Sequence, residues 1–535
     1  MKRFGVMLDC SRNAVMKPCE VKNFARLLKT FGYDMLQLYT EDTWEVDGEP
    51  YFGYMRGKYT KEELKDIVSY CSSIGMEVIP CIQTLAHLET LFRWSEYQKI
   101  NDFADILLVG EERTYTLIEN MFKTIKLCFT SDYVHIGMDE AFMLGKGNYQ
   151  KKHGVRDRYD ILREHLEKVI ALAKKYELKP IMWSDMFFRL ANGTYHVENP
   201  VATEEAKNAV PKGVGLVYWD YYHAEESYYE KMMTTHKELA DEVWFAGGAW
   251  SWVGFAGGNK RTLQTMFPAM DSAKKCGIDN VMITLWGDNG KECSYYSLLP
   301  SLFAVKKYYD GETDIETIKA QFFKLTGENF DAMFALDKPN FVGGNQAVAC
   351  NISKYMLYND PFNGFFDSTV KENADKEFES IAKELDSYAK TSKNYGYIFE
   401  NHATLCRLLA VKYDLGYRTR KAYQAGDKEK LTSLISDYEK AEVLWEDFYR
   451  AFEKLWFKEN KPQGFDVQEL RLGGLKLRLR SCRERLLAYV RGEIEKIPEL
   501  DEELLCYFGD GKSFRQNVPS YNAWISTVTP NRMNR

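Results

Sequence analysis

The chain has 535 residues, 45% apolar and 28% charged, with a net charge of −7. That length exceeds one ordinary core and implies a barrel-sized domain plus a second one. The acidic balance and the lack of a Lys/Arg block argue against a nucleic-acid partner, and no apolar run reaches membrane-spanning length.

From the first residue onward, short apolar runs alternate with helical stretches. The candidate strands are Phe4–Asp9, Met35–Tyr39, Glu77–Cys81, Tyr133–Gly137, Pro180–Trp183, Gly215–Trp219, Val243–Gly247 and Asn280–Leu285. Helical periodicity covers Glu20–Thr30, Lys61–Ile74, Arg113–Phe129, Tyr159–Tyr176 and Lys260–Cys276 between them. Gly32, Gly75 and Gly277 stand just past helices, where a left-handed residue is usual. Eight strands with intervening helices predict an α/β fold, a (β/α)8 TIM barrel over residues 1–311. The chain then changes character. Leu385–Lys393, Ala403–Ala425, Lys428–Trp456 and Gln468–Glu493 are helical in pattern and highly charged, so residues 312–535 read as an α-helical C-terminal domain. Pro339–Asp367, rich in Gly, Asn and Pro, reads as an irregular connector. Gly473 and Gly474 interrupt the last helical pattern. A helix boundary accounts for that, and a packing contact or homodimer surface is the alternative.

The 11 cysteines are scattered without CxxC or Cys/His spacing, which fits reduced thiols in a cytoplasmic protein. The opening Met1–Asp9 has too short an apolar run for a secretory signal. No HxH or HExxH pattern supports a metal, and no cofactor is implied.

In a β/α barrel the residues just past the strands line the catalytic face. Here they are Asp9 and Arg12; Glu41, Asp42 and Trp44; Gln83 and His87; His135, Asp139 and Glu140; Trp183 and Asp185; Trp219, Asp220 and Tyr221; Trp250 and Trp252; Trp286 and Asp288. Strand after strand ends in a carboxylate, a Trp or both, as in a sugar-sized pocket. The most informative segment is Tyr133–Ala141, a short strand that runs into two adjacent acids. An Asp-Glu pair by itself carries no weight, since chance gives about eleven adjacent acidic pairs among 78 acidic residues in 535. Its position matters. Alternation would put Asp139 and Glu140 on opposite faces unless the strand has already ended.

HIGMDEA, IMWSD, VYWD and TLWGD, in this order and each at a strand end, resemble glycoside hydrolase family 20, the exo-acting β-N-acetylhexosaminidases. The stretches Leu38–Trp44, Gln83–His87 and Phe245–Trp250 resemble a bacterial branch with a C-terminal helical domain and tolerance for both GlcNAc and GalNAc. The resemblance runs from about Phe4 to Tyr309. It implies a glycan substrate with a terminal β-linked HexNAc and substrate-assisted catalysis, in which the 2-acetamido oxygen is the nucleophile. Glu140 would be the general acid and then base, and Asp139 would orient the acetamide. His135, His87, Glu41 and Asp42 would support them. Trp183, Trp219 and Trp286 would enclose the acetamide and ring, with Tyr221, Trp250, Asp288 and Arg12 as further sugar contacts. Two positions depart from the family pattern: Phe4 replaces an Arg before the first-strand Gly, and Ser251 replaces a Tyr after the seventh strand. A strict β-N-acetylgalactosaminidase, another acetamido-assisted glycosidase, or a non-catalytic amino-sugar-binding protein are the other readings.

Overall fold

A computed structural model describes residues 2–344, 350–507 and 523–533. The chain forms two compact units. One comprises Met1–Ala249, Thr262–Trp286 and Leu302–Thr313; the other comprises Trp250–Arg261, Gly287–Ser301 and Asp314–Arg535.

The first unit holds a closed barrel of eight parallel strands in sequence order. They are β1 (Arg3–Asp9), β2 (Met35–Thr40), β3 (Glu77–Ile82), β4 (Tyr133–His135), β5 (Lys179–Trp183), β6 (Gly215–Trp219), β7 (Val243–Gly248) and β8 (Asn280–Leu285). Closure comes from β8 pairing with β1, Phe4 opposite Val281 and Leu8 opposite Leu285. The strands are almost continuously apolar because both faces are covered, as parallel sheets require. Side chains from β1–β3 and β5–β8 fill the interior: Met7, Tyr39, Cys81, Ile181, Trp183, Val217, Trp244 and Met282 form one buried cluster, with Trp219 and Trp286 packed on it. This barrel and the helices after it agree with the fold read from the sequence.

Local signals set the connecting helices. Thr60 and Glu63 form a capping box at the start of Lys61–Ser73. Asp157 caps Arg158–Lys175 through the N–H groups of Tyr159 and Asp160. Gly32, Gly75 and Gly277 all have positive φ, at 100°, 72° and 62°, as a left-handed helix exit demands. Besides Asn148–His153, Asp185–Asn192, Glu204–Ala209 and Leu299–Tyr309, the helix Glu226–Leu239 is missing from the predicted set. Its Tyr228-Tyr229 and Thr234-Thr235 pairs lose rotamer freedom in a helix and blur the periodicity.

The second unit is helical, built mainly on Ala374–Thr391, Gly396–Lys412, Leu415–Gln424, Lys428–Glu459 and Phe465–Arg491. The helical pattern predicted over Ala403–Ala425 is divided at Tyr413–Asp414. Phe465–Arg491 runs unbroken through Gly473 and Gly474, so the expected boundary there is wrong: two glycines cost a helix about 2 kcal/mol, which twenty-five other residues outweigh. The expected irregular connector contains a buried helix, Ile352–Tyr358, while residues 345–349 of it lie outside the described residues. The buried Lys412 ammonium holds the carbonyls of Met356 and Asn359 at 2.9 and 2.8 Å, supplying partners to orphan helix-end carbonyls.

The loop Gly287–Ser301, although it follows β8 in the chain, is folded within this unit. Asn289 O accepts from Lys354 Nζ at 3.2 Å and Arg471 Nη1 at 3.1 Å, and Gly290 O accepts from Gln468 Nε2 at 2.8 Å. Lys354 and Glu292, both buried, pair at 2.8 Å. The loop after β7 is anchored here too, by Asn351 Nδ2 on Val253 O at 2.8 Å and Asn340 Nδ2 on Ala256 O at 3.1 Å. All eleven cysteines are free thiols. Among the described residues no helix is long and apolar enough to cross a membrane.

Gly5 lets β1 and β2 approach closely: a Cβ there would sit 2.7 Å from Met35 O. Gly5→Ala is expected to destabilise the barrel by about 1–3 kcal/mol, the usual cost of overpacking, read as a lower urea midpoint at unchanged slope.

Candidate active site

The site in the first unit is organised by the way β4 ends. The sequence predicts a strand to Gly137; the regular strand ends at His135, and the last backbone bonds to β5 come from Ile136 N to Ile181 O at 2.8 Å and from Trp183 N to Gly137 O at 3.2 Å. Gly137, Met138 and Glu140 then take φ of 71°, 70° and 52°, left-handed values that strain any residue with a Cβ. The turn breaks the alternation that would have separated Asp139 from Glu140. Both carboxylates reach one imidazole instead. His87 Nε2 lies 3.2 Å from Asp139 Oδ2 and 3.7 Å from Glu140 Oε2.

Gln83, just past β3, threads this turn. Its Oε1 accepts from Met138 N at 3.2 Å, while its Nε2 donates to Asp139 Oδ1 at 2.8 Å and lies 3.0 Å from Tyr39 Oη. Gly137 makes room for it, because a Cβ there would collide with the Gln83 amide. The chain continues through Tyr39 Oη, which donates to Glu41 Oε1 at 3.1 Å, and Arg12 Nε donates to the same oxygen at 3.0 Å. On the other side Asp185 Oδ2, at the end of β5, accepts the backbone N–H of Glu140 at 3.1 Å. Arg189 Nε stands 3.8 Å from that oxygen. Neither Gln83 nor Asp185 is among the residues given roles from the sequence. Their place just past β3 and β5 is the signal that marks them.

The protonation tendencies diverge. Burial opposes the charge of Asp139, but the His87 charge and the hydrogen bonds from His87 and Gln83 hold its carboxyl below the ordinary value. Burial would lower His87, yet Asp139 overrides it and the imidazole is pushed up to about 9. Glu140 is raised, by burial first and by the Asp139 charge second. Burial and Asp139 push Asp185 up to about 7. One carboxyl is thus held low beside others that are pushed up, the divergence that acid and base work needs.

An aromatic arc stands beside them. Trp183 packs on His135 with ring centroids 4.3 Å apart and on Trp286 at 6.0 Å; Tyr39 meets Trp286 edge-on at 4.8 Å. Trp286 Nε1 donates to Tyr221 Oη at 3.0 Å, and Tyr221 stacks on Trp219 at 5.4 Å.

The remaining sequence candidates fall as follows. His135 is fully buried and accepts Gly137 N–H on Nδ1 at 3.1 Å; burial drives its pKa down to about 3, so it is a neutral brace of the turn. Asp42 pairs with Arg56, its Oδ1 accepting from Arg56 Nε at 3.2 Å. Phe4, in place of the family's Arg, packs against Tyr33 and Tyr309 at 5.2 and 4.5 Å. Trp250 and Asp288 belong to the second unit, where Trp250 stacks on Trp252 at 4.7 Å.

Residues 5–239 match the family model "Glycosyl hydrolase family 20, catalytic domain", and residues 328–518 match "Glycoside Hydrolase 20C C-terminal domain". The chain is similar to Hexosaminidase D of Bos taurus, 22% identical over 46% of this chain and 69% of that protein. It is also similar to Hexosaminidase D of Homo sapiens, 24% identical over 36% of this chain and 40% of that one. A Beta-hexosaminidase 1 of Coccidioides posadasii is 23% identical over 40% of each. The chain therefore spans well under two thirds of the latter two. Among solved structures it is similar to a beta-N-acetylhexosaminidase, 18% identical with TM-score 0.46, covering 61% of this chain and 77% of that one.

The His87–Asp139 pair makes stability depend on pH. The imidazole is raised from 6.5 to about 9 by folding, so its contribution is complete below pH 6.5 and is lost as pH rises through 9. His87→Gln is expected to cost on the order of 2–3 kcal/mol at pH 6 and to flatten the decline between pH 6.5 and 9, measured by urea unfolding at each pH.

Proposed function

The chain belongs to glycoside hydrolase family 20, and from that premise we propose that it is a retaining exo-β-N-acetylhexosaminidase acting on terminal β-linked GlcNAc, GalNAc or both. The observation that carries the reading is the shared mouth of Asp139 and Glu140, with one carboxyl lowered and the other raised.

In the proposed reaction the substrate's acetamide oxygen attacks C1 as Glu140 delivers its proton to the departing glycosidic oxygen. The C1–O bond breaks and an oxazolinium forms. Asp139 accepts the acetamide N–H and balances the positive charge that develops there. Glu140, now a carboxylate, takes a proton from water as that water adds to C1 and reopens the oxazolinium ring. Two inversions at C1 give net retention. An internal nucleophile needs no protein carboxylate at C1, and its effective molarity substitutes for one.

Gln83 and His87 act through Asp139 in this scheme, fixing its orientation and charge. Asp185 fixes the Glu140 backbone. Trp183, Trp219, Tyr221 and Trp286 are assigned to the sugar and acetamide, and Arg12 to ring hydroxyls.

Aryl β-GlcNAc and β-GalNAc should be cleaved, and a thiazoline mimic of the oxazolinium should inhibit. Equal cleavage of the plain β-glucoside, which lacks the acetamide, would sink the mechanism. Glu140→Gln is expected to lower kcat by about 10²–10⁴ for poor leaving groups, with smaller losses for activated aryl glycosides. Equal losses on both remove Glu140 from the acid role. Asp139→Asn is expected to lower kcat by roughly 10²–10³ in a protein of unchanged fold by circular dichroism.

A further inference from the structure

Beyond the β6 strand end lies a second cluster that the proposed reaction does not use. Asp220, His223 and His196 converge there, each offering one ligand atom, and those atoms lie within 4.8 Å of one another. Asp220 is fully buried, and both imidazoles are partly exposed, so the cluster can be reached from solvent. The sequence separates His196 from Asp220 by the short helix Glu204–Ala209 and strand β6, which is why no ligand spacing is visible in it.

We propose that His196, Asp220 and His223 form a binding site for a divalent transition-metal ion of the zinc class. Three observations carry this. Asp220 Oδ2 lies 2.8 Å from His223 Nδ1 and 3.9 Å from His196 Nδ1. A tetrahedral ion with bonds of about 2.0–2.1 Å to N and O spaces its ligands roughly 3.3 Å apart; the two Asp220 spacings bracket that value, and the three ligand atoms lie within 4.8 Å of one another, so the imidazoles must draw in on the ion. His196 Nδ1 is buried and has no hydrogen-bond partner, a donor atom with no role inside the protein. The remaining partners are set as supporting groups around a metal are: Tyr218 Oη donates to Asp220 Oδ2 at 2.9 Å, Tyr222 N donates to Asp220 Oδ1 at 2.9 Å, and the His223 ring lies flat on Tyr228 at 3.5 Å.

Binding needs neutral imidazoles. Without an ion, His223 Nδ1 donates to Asp220 Oδ2 at 2.8 Å; on binding, that proton moves to Nε2 and the ion takes the place of the shared hydrogen. The ion would join the loop after β5 to the loop after β6. Trp219 lies edge-on to His196 at 5.3 Å, and its backbone N–H donates to Tyr195 Oη at 2.9 Å.

The test uses the full chain, freed of metal by chelator and titrated with Zn²⁺ by calorimetry and with Co²⁺ by visible absorption. One equivalent of Zn²⁺ should bind and raise the melting temperature, and Co²⁺ should give the ligand-field bands of a four-coordinate site. His196→Ala and His223→Asn should each weaken binding by on the order of 100-fold or more, since even groups that only support metal ligands are worth 10–100-fold. His223→Asn keeps a donor for Asp220 and so guards against simple misfolding. Cys19→Ser with Cys506→Ser should leave the titration unchanged. No stoichiometric binding, binding retained in both histidine variants, or binding that follows the two cysteines would each overturn the proposal.

Discussion

The mouth of the barrel depends on keeping one carboxylate ionised where little water reaches it. Asp139 is nine-tenths buried, and a buried charge without partners costs far more than a marginally stable domain can absorb. Its partners are a protonated imidazole and an amide N–H, His87 and Gln83, placed on its two oxygens. The charge so secured has effects beyond itself. It raises His87, and together with burial it raises Glu140 and Asp185. A single fixed anion thus sorts the neighbouring titratable groups into donors and acceptors.

That arrangement requires a backbone that a regular strand cannot provide. Left-handed conformations at Met138 and Glu140 cost roughly 1–2 kcal/mol each. They persist because Gln83, Asp185 and His135 hold the peptide groups around the turn. Strain held in place by several independent bonds is a mark of a site where geometry has a use. The same strand ends feed two kinds of structure. Those after β3, β4 and β5 build the Asp139 network, whereas the loops after β7 and β8 are tied by Asn351, Lys354, Gln468 and Arg471 into the helical unit.

Much of the fold was legible because each element carries a strong local signal. The eight apolar runs mark strands covered on both faces, and two of them, Gly215–Trp219 and Asn280–Leu285, coincide with β6 and β8 to the residue. Glycines after helices mark their exits. The failures have local causes as well. Gly473 and Gly474 look like a break, but tertiary contacts on the buried face of Phe465–Arg491 outweigh helix propensity. The motif residues at the strand ends were visible, but which of them touch was not. Asp42 and Glu41 are neighbours in sequence, yet one pairs with Arg56 and the other joins Arg12 and Tyr39.

The sequence by itself determined a closed barrel followed by helices, the order of its strands and the identity of the paired acids, because periodicity and strand-end composition are properties of the chain. Only the tertiary structure decided that β4 stops early, that Gln83 and His87 meet Asp139, and that His196 joins Asp220 and His223. Those outcomes rest on positive φ angles and on side chains brought together from different strand ends, and spacing along a sequence holds no record of distances across a barrel.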